Sequence, residues 1–180
     1  MIKPFDFYFD FISPYSFLAH KELRKIENKT GIKIRYKPIL LGGLHNLHGI
    51  KAPAFIPAKA KHMVRDCKLI AERNNVKFKF NSYFPIKSLN LMRGVLVAEE
   101  DNIKNYYIDS IFNKIWLDGL NMNDESIFQK VLKNLSINPK TFSLRSTSSL
   151  IKDSLRAKTT EAYEKGIFGA PTFVSNNKIF

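Results

Sequence analysis

Residues Phe5 to Phe17 read F-D-F-Y-F-D-F-I-S-P-Y-S-F, and no other stretch of the chain constrains the fold as tightly. Phe5, Phe7, Phe9 and Phe11 alternate with Asp6, Tyr8 and Asp10, the period of two that marks a strand. Ser13 then stands immediately before Pro14. Serine is a preferred N-cap, and proline is favoured at the first helical position, where a missing N–H leaves no bond unmade. A strand therefore hands over directly to a helix at Ser13, and the Ser13 hydroxyl is placed among the free N–H groups of the helix start. That environment suits an anion, a thiolate included. Taken alone, Ser13 also reads as an ordinary helix cap.

A second stretch adds to this. Gly166-Ile167-Phe168-Gly169-Ala170-Pro171-Thr172-Phe173-Val174 sets Pro171 at the entry to a β-branched and aromatic run. X-Pro bonds adopt the cis form at modest cost, so a cis Pro171 close to Ser13 is expected. A capping site after the first strand, with G-A-P-T-F opening a late strand, resembles the thioredoxin fold in its DsbA-like branch. Members that do disulfide chemistry carry Cys-x-x-Cys at this turn. Here the four residues are Ser13-Pro14-Tyr15-Ser16. This S-P-Y-S form, with Leu41-Gly42-Gly43 and the P-A-K-A-K-H-M stretch from Pro57 to Met63, looks like 2-hydroxychromene-2-carboxylate isomerase and the related kappa-class glutathione transferases. The resemblance runs from about residue 5 to residue 180. It implies an α/β fold, thioredoxin-like, with a large helical insertion between the second and third strands. Residues 1–43 and 166–180 would form the thioredoxin-like domain, and 44–165 the insertion. In that family a further segment with a G-Q-D-R-type motif and a final helix contributes to the glutathione site. The sequence here reads to Ile179-Phe180, as expected of a fragment or of a naturally short protein, so the γ-glutamyl end of the site is assigned to no residue.

The 180 residues are 44% hydrophobic and 13% aromatic, enough for one domain with a substantial core. No apolar run is long enough to span a bilayer, and M-I-K-P-F-D-F lacks the pattern of a signal peptide, so a cytoplasmic protein away from membranes is expected. The formal charge is +13, yet the basic residues are scattered rather than gathered in one arm, which argues against nucleic acid as a partner. Such a field still steers anionic small molecules. One cysteine, Cys67, leaves no intramolecular disulfide. It falls in a helical pattern as a buried packing residue, so thiol chemistry needs an external thiol.

Periodicity predicts a helix from Tyr15 to about Asn28 and a strand over Ile32–Ile39. Gly43–Pro57 reads as a loop or irregular helix, Ala58–Asn74 as a helix, and Asn81–Pro85 as a break. Helices follow over Leu89–Glu100, Ile103–Leu117, Asp124–Leu135 and Pro139–Lys165. Thr172–Ser175 and Lys178–Phe180 close the chain as strands around an Asn176-Asn177 turn.

The resemblance implies glutathione as cofactor, a small-molecule aromatic carboxylate as substrate and a homodimer as the candidate assembly. Its cofactor site would comprise Ser13, Pro14, Tyr15, Lys59, Ala170 and Pro171, with Ser13 catalytic. The residue chemistry agrees with this. A helix N-terminus with a hydroxyl donor lowers the pKa of a bound thiol, and serine cannot form a mixed disulfide with it. The backbone of Ala170 can pair with the cysteinyl backbone of glutathione, strand against strand. Lys59 reads either as a partner for a glutathione carboxylate or as a solvated lysine. Ile50 stands where the family's N-x-x-P motif has asparagine, which removes a polar contact. Ser16 is expected to pack. Asp10 either tunes the thiolate or serves structure, with structure favoured. Tyr15 and Phe168 are candidates to line an apolar acceptor pocket. His45 and His48 are spaced H-x-x-H, but no third ligand is at hand, so no metal is expected. His20 and His62 read as surface or packing residues. The function implied is glutathione-dependent isomerisation of 2-hydroxychromene-2-carboxylate to trans-o-hydroxybenzylidenepyruvate. Kappa-like transfer or peroxide reduction, and a catalytically inactive binding module, are the alternatives.

Overall fold

The alternating aromatics of the first strand fill the middle of the molecule. The computed structural model describes residues 4–180, in which β1 spans Phe5–Phe9 and β2 spans Ile34–Pro38, joined by α1, Pro14–Thr30. Among the described residues the sheet has four strands in the order β2-β1-β3-β4, with β3 at Thr172–Ser175 and β4 at Lys178–Ile179. β1 and β2 run parallel, with Phe7 opposite Tyr36. β3 pairs antiparallel to β1, with Phe7 opposite Phe173, and β4 pairs antiparallel to β3. Asn176 and Asn177 make the last turn with positive φ at both positions, which a tight hairpin requires.

Between β2 and β3 lie α2 (Leu41–His48), a 3-10 turn at Pro53–Phe55, α3 (Pro57–Arg73), α4 (Leu89–Glu100), α5 (Lys104–Trp116), α6 (Glu125–Asn134), α7 (Pro139–Ser146) and α8 (Ser149–Glu164). This is the α/β, DsbA-like arrangement that the resemblance implies. Phe7 and Phe9 face one way and pack on Tyr36, Phe112 and Phe173. Tyr8 faces the other way and is buried with Ile39, Leu44, Ala162 and Ile167, under α2 and α8. Both faces of β1 are therefore covered. Beyond the strand, Phe11 meets the Phe112 ring at 4.8 Å, and its carbonyl accepts the Trp116 indole N–H at 2.9 Å. These contacts fasten the β1–α1 turn to α5.

Two elements differ from the sequence reading. α2 is a regular helix where a loop or irregular helix is expected. It lacks a local side-chain cap. Its entry is held from elsewhere in the chain: the Leu41 N–H donates to the Asp10 carboxylate at 2.8 Å, and the Leu40 N–H donates to the Thr159 hydroxyl at 3.0 Å. It stops at Gly49, whose φ of +65° suits glycine. The segment 139–165 is two helices rather than one. Ser148 caps α8 by accepting the Ile151 N–H, within the cap-forming run Ser146-Thr147-Ser148-Ser149.

Candidate active site

The site is built on the start of α1. Ser13 has the extended backbone of an N-cap, and its hydroxyl oxygen accepts the Ser16 N–H at 3.1 Å. Pro14 occupies the first turn, as the sequence predicts. The Ser13 hydroxyl in turn donates to the carbonyl of Ala170 at 2.8 Å. The two distant motifs thus meet, and the Ala170–Pro171 peptide is cis. Phe84–Pro85, read from sequence only as a break, is a second cis peptide.

Ser13 and Ala170 lie on the wall of a cavity of about 750 Å³, within the usual range for small-molecule sites. Tyr15, Lys59 and Phe168 line it as well. Pro14 also lines it, whereas Pro171, the next residue after Ala170 in sequence, does not. The rest of the wall is largely apolar, with Ile12, Leu41, Ile50, Phe55, Met63 and Phe84 among its members. The aromatic walls Phe55 and Phe168 are 61% and 66% exposed, which places them at an open edge. His45 and His62 line the cavity too. His62 is exposed, as the sequence reading of a surface residue has it, and the surface it stands on is the cavity wall. The signal was its spacing three residues after Lys59, one helical turn away.

Around the turn, the carboxylate of Asp10 is fully buried. It accepts the Ile12 N–H at 3.1 Å and the Leu41 N–H at 2.8 Å. Burial pushes its pKa up to about 6, opposed by those two N–H groups and the Ser88 hydroxyl. The group ties the β1–α1 turn to the entry of α2. Tyr15 donates its hydroxyl to Asp66 at 2.8 Å, linking α1 to α3, and burial together with that bond raises its pKa. Cys67 lies buried on α3, its thiol pushed up to about 12 by burial and by the neighbouring Asp66. It does not line the cavity. Ser16 is fully buried, and its hydroxyl has no partner among the described residues.

The H-x-x-H pair is divided. The His48 imidazole N–H donates to the Ile167 carbonyl at 2.9 Å, and its ring lies 4.5 Å from that of Tyr163. His45 faces the cavity instead. His20 is buried, between the Tyr36 hydroxyl and Asp109. Among the described residues no group of three His, Cys, Asp or Glu side chains could hold a metal ion, and no helix is long and apolar enough to cross a membrane.

The residues present suit a thiol peptide such as glutathione. They offer a hydroxyl at a helix N-terminus, an adjacent backbone carbonyl and a lysine, and among the described residues no acidic side chain lines the cavity. Residues 5–180 match the family model described as a DSBA-like thioredoxin domain. The chain belongs to this family. Within it, the chain is 28% identical to a 2-hydroxychromene-2-carboxylate isomerase of Sphingobium xenophagum, across all of this chain and 92% of that protein. It is 27% identical to a glutathione S-transferase kappa 1 of Caenorhabditis elegans, covering 92% of this chain and 77% of that one. A solved 2-hydroxychromene-2-carboxylate isomerase superposes with a TM-score of 0.88 at 24% identity, over 98% of this chain and 87% of that chain, and so shares the fold. These relatives are named as isomerases and as kappa-class transferases.

Proposed function

We propose that this protein is a glutathione-dependent isomerase acting on an unsaturated aromatic carboxylate, of which 2-hydroxychromene-2-carboxylate is the first candidate. The observation that carries the reading is the Ser13 hydroxyl, held at the N-terminus of α1 and on the wall of an apolar cavity whose lining contains no cysteine. Glutathione, when bound, supplies a thiolate that adds to the conjugated double bond of the ring-opened acid and leaves again after rotation to the trans form. Ser13 is the group to hold that sulfur as an anion. Its oxygen is anchored by the Ser16 N–H, and its proton turns from the Ala170 carbonyl toward the ligand. The helix N-terminus adds favourable potential at the same point. The Ala170 carbonyl, once released, is free to accept a backbone N–H of the peptide. Lys59 offers an ammonium to one of its carboxylates. The apolar walls exclude water from the reacting double bond.

Kappa-like transfer uses the same site, and the kappa relatives keep it in view. The two differ in whether glutathione survives. The test is calorimetric titration with glutathione, followed by an absorbance assay of the chromene acid with a count of free thiol. Turnover with thiol conserved is expected. Thiol lost in proportion to product indicates transfer, and absence of glutathione binding indicates a binding module.

A further inference from the structure

The polar groups on the α2–α3 side of the cavity form a set that glutathione does not use up. Three side chains there carry basic nitrogen: His45 on α2, and Lys59 and His62 on α3. None of the three has a hydrogen-bond or ion-pair partner among the described residues. That contrasts with Arg24, Arg35 and Arg145, each of which is paired to a carboxylate. Among the described residues no Asp or Glu lines the cavity to neutralise them. Ile50, also on this wall, brings no polar group. Unpaired donors in an apolar cavity select a ligand that accepts from them, because any other ligand strips them of water without replacing it.

The occupants of the cavity must divide these donors. On the reading proposed above, Lys59 meets a carboxylate of glutathione, and the two imidazoles remain. The exposed rings of Phe55 and Phe168 supply apolar surface at the open edge. A ligand that satisfies all of this is planar, largely apolar and carries one anionic group. We propose that His45 and His62 form the subsite that recognises the carboxylate of the acceptor, and that they set the preference of this protein for acidic over neutral acceptors. The inference rests on that reading for the division of roles, although the two imidazoles can be tested without glutathione.

The neighbours of His45 favour such a role. His48, one turn on in the same helix, is engaged by Ile167 and Tyr163, so it does not compete for the ligand. Burial and His48 hold the pKa of His45 below the ordinary range, so it enters chiefly as an N–H donor. A carboxylate is the strongest acceptor such a donor can meet.

The test uses trans-cinnamate and its methyl ester, which differ only in the charge and shape of the carboxyl end. Equilibrium binding is measured by calorimetry with and without glutathione, on wild type, His45→Leu, His62→Leu and the double variant, in which no side-chain N–H donor is left at these positions. Wild type is expected to prefer the acid by about tenfold, the magnitude of a charge-assisted hydrogen bond. Each single variant should lose part of that preference and the double variant all of it, with affinity for the ester held. His62 is exposed, so His62→Leu reads out folded protein whatever the change at His45 does to α2. Equal binding of acid and ester by wild type would overturn the proposal. So would a preference that survives in the double variant or is abolished by Lys59→Met alone. Failure of glutathione to bind would instead overturn the functional reading and leave the cinnamate result to decide the subsite.

Discussion

The Ser13 hydroxyl and the Ala170 carbonyl stand 2.8 Å apart, although 157 positions of sequence separate them. The bond joins the start of α1 to the entry of β3 and uses the one proton that Ser13 has to give. A bound thiolate must therefore compete with Ala170 for that proton. The competition is favourable, because a hydrogen bond to a charged acceptor is stronger than one to a carbonyl.

Ser13→Ala removes the donor and keeps the helix start, which Pro14 also favours. The pKa of bound glutathione should rise and turnover should slow. A hydrogen bond to a charged group is worth about 1.5–3 kcal/mol, so the rate should fall roughly tenfold to a hundredfold. Glutathione affinity should fall less, since the backbone and lysine contacts proposed for it are left untouched. Thiolate absorbance against pH, beside turnover with the chromene acid, reads both. An unchanged thiol pKa and rate in a folded variant would reduce Ser13 to a helix cap.

Cys67 tests the claim that the thiol is borrowed. It is buried, and a thiol pushed up to about 12 stays protonated at neutral pH. Native protein should leave an aromatic disulfide reagent unreacted, and urea-unfolded protein should consume one equivalent. Cys67→Ala should keep glutathione-dependent turnover and lose about 1 kcal/mol of stability from the small void. Lost turnover in a folded variant would mean that the chain supplies the thiol itself.

Much of this architecture was legible because its signals are local. The alternation of Phe5, Phe7 and Phe9, the Ser13-Pro14 start and the Asn176-Asn177 turn each sit within a few residues of what they determine. α2 was not legible for the opposite reason. Its first N–H groups are received by Asp10 and Thr159, far from Leu40 and Leu41 in sequence, and Gly42-Gly43 argue locally against a helix. The same holds for the cavity. Phe84 reaches it only through the packing of the segment before α4, which no periodicity reports, whereas His62 follows Lys59 by one helical turn.

Gly94 is a close-approach position in α4. A Cβ there would lie 2.2 Å from the Tyr107 hydroxyl oxygen, 2.8 Å from Tyr107 Cζ and 2.9 Å from Phe142 Cζ. Both rings are buried, and the Tyr107 hydroxyl donates to the Leu91 carbonyl at 3.1 Å. Gly94→Ala gains roughly 1 kcal/mol of helix propensity. Overpacking and the displaced Tyr107 bond outweigh that, for a net loss of about 2 kcal/mol or more in urea unfolding. Adding Tyr107→Phe should recover part of the loss, because the nearest clashing atom is gone. A stabilised Gly94→Ala protein would mean that α4, α5 and α7 are not packed this closely.

Asp10 gives the fold a pH dependence of definite sign. Its carboxyl titrates at about 6 in the folded chain, above the usual value of about 4 in an unfolded one. The folded state thus binds the proton more tightly than the unfolded state does. The stability this contributes is fully present below about pH 4 and is lost as the pH rises through 6, a change of about 2 kcal/mol between pH 4.5 and pH 8. Asp10→Asn removes the titration. It also turns an amide NH2 toward either the Ile12 or the Leu41 N–H, donor against donor, so the variant should be less stable by about 1–3 kcal/mol at acid pH. The measurable quantity is the difference in unfolding free energy between wild type and variant, taken from urea curves at pH 4.5 and pH 8. The His20–Asp109 pair and the surface charges titrate in both proteins and cancel in that difference. The advantage of wild type should shrink by about 2 kcal/mol from the lower pH to the higher. A difference that stays constant, or that widens as the pH rises, would show that the N–H groups of Ile12 and Leu41 outweigh burial at Asp10.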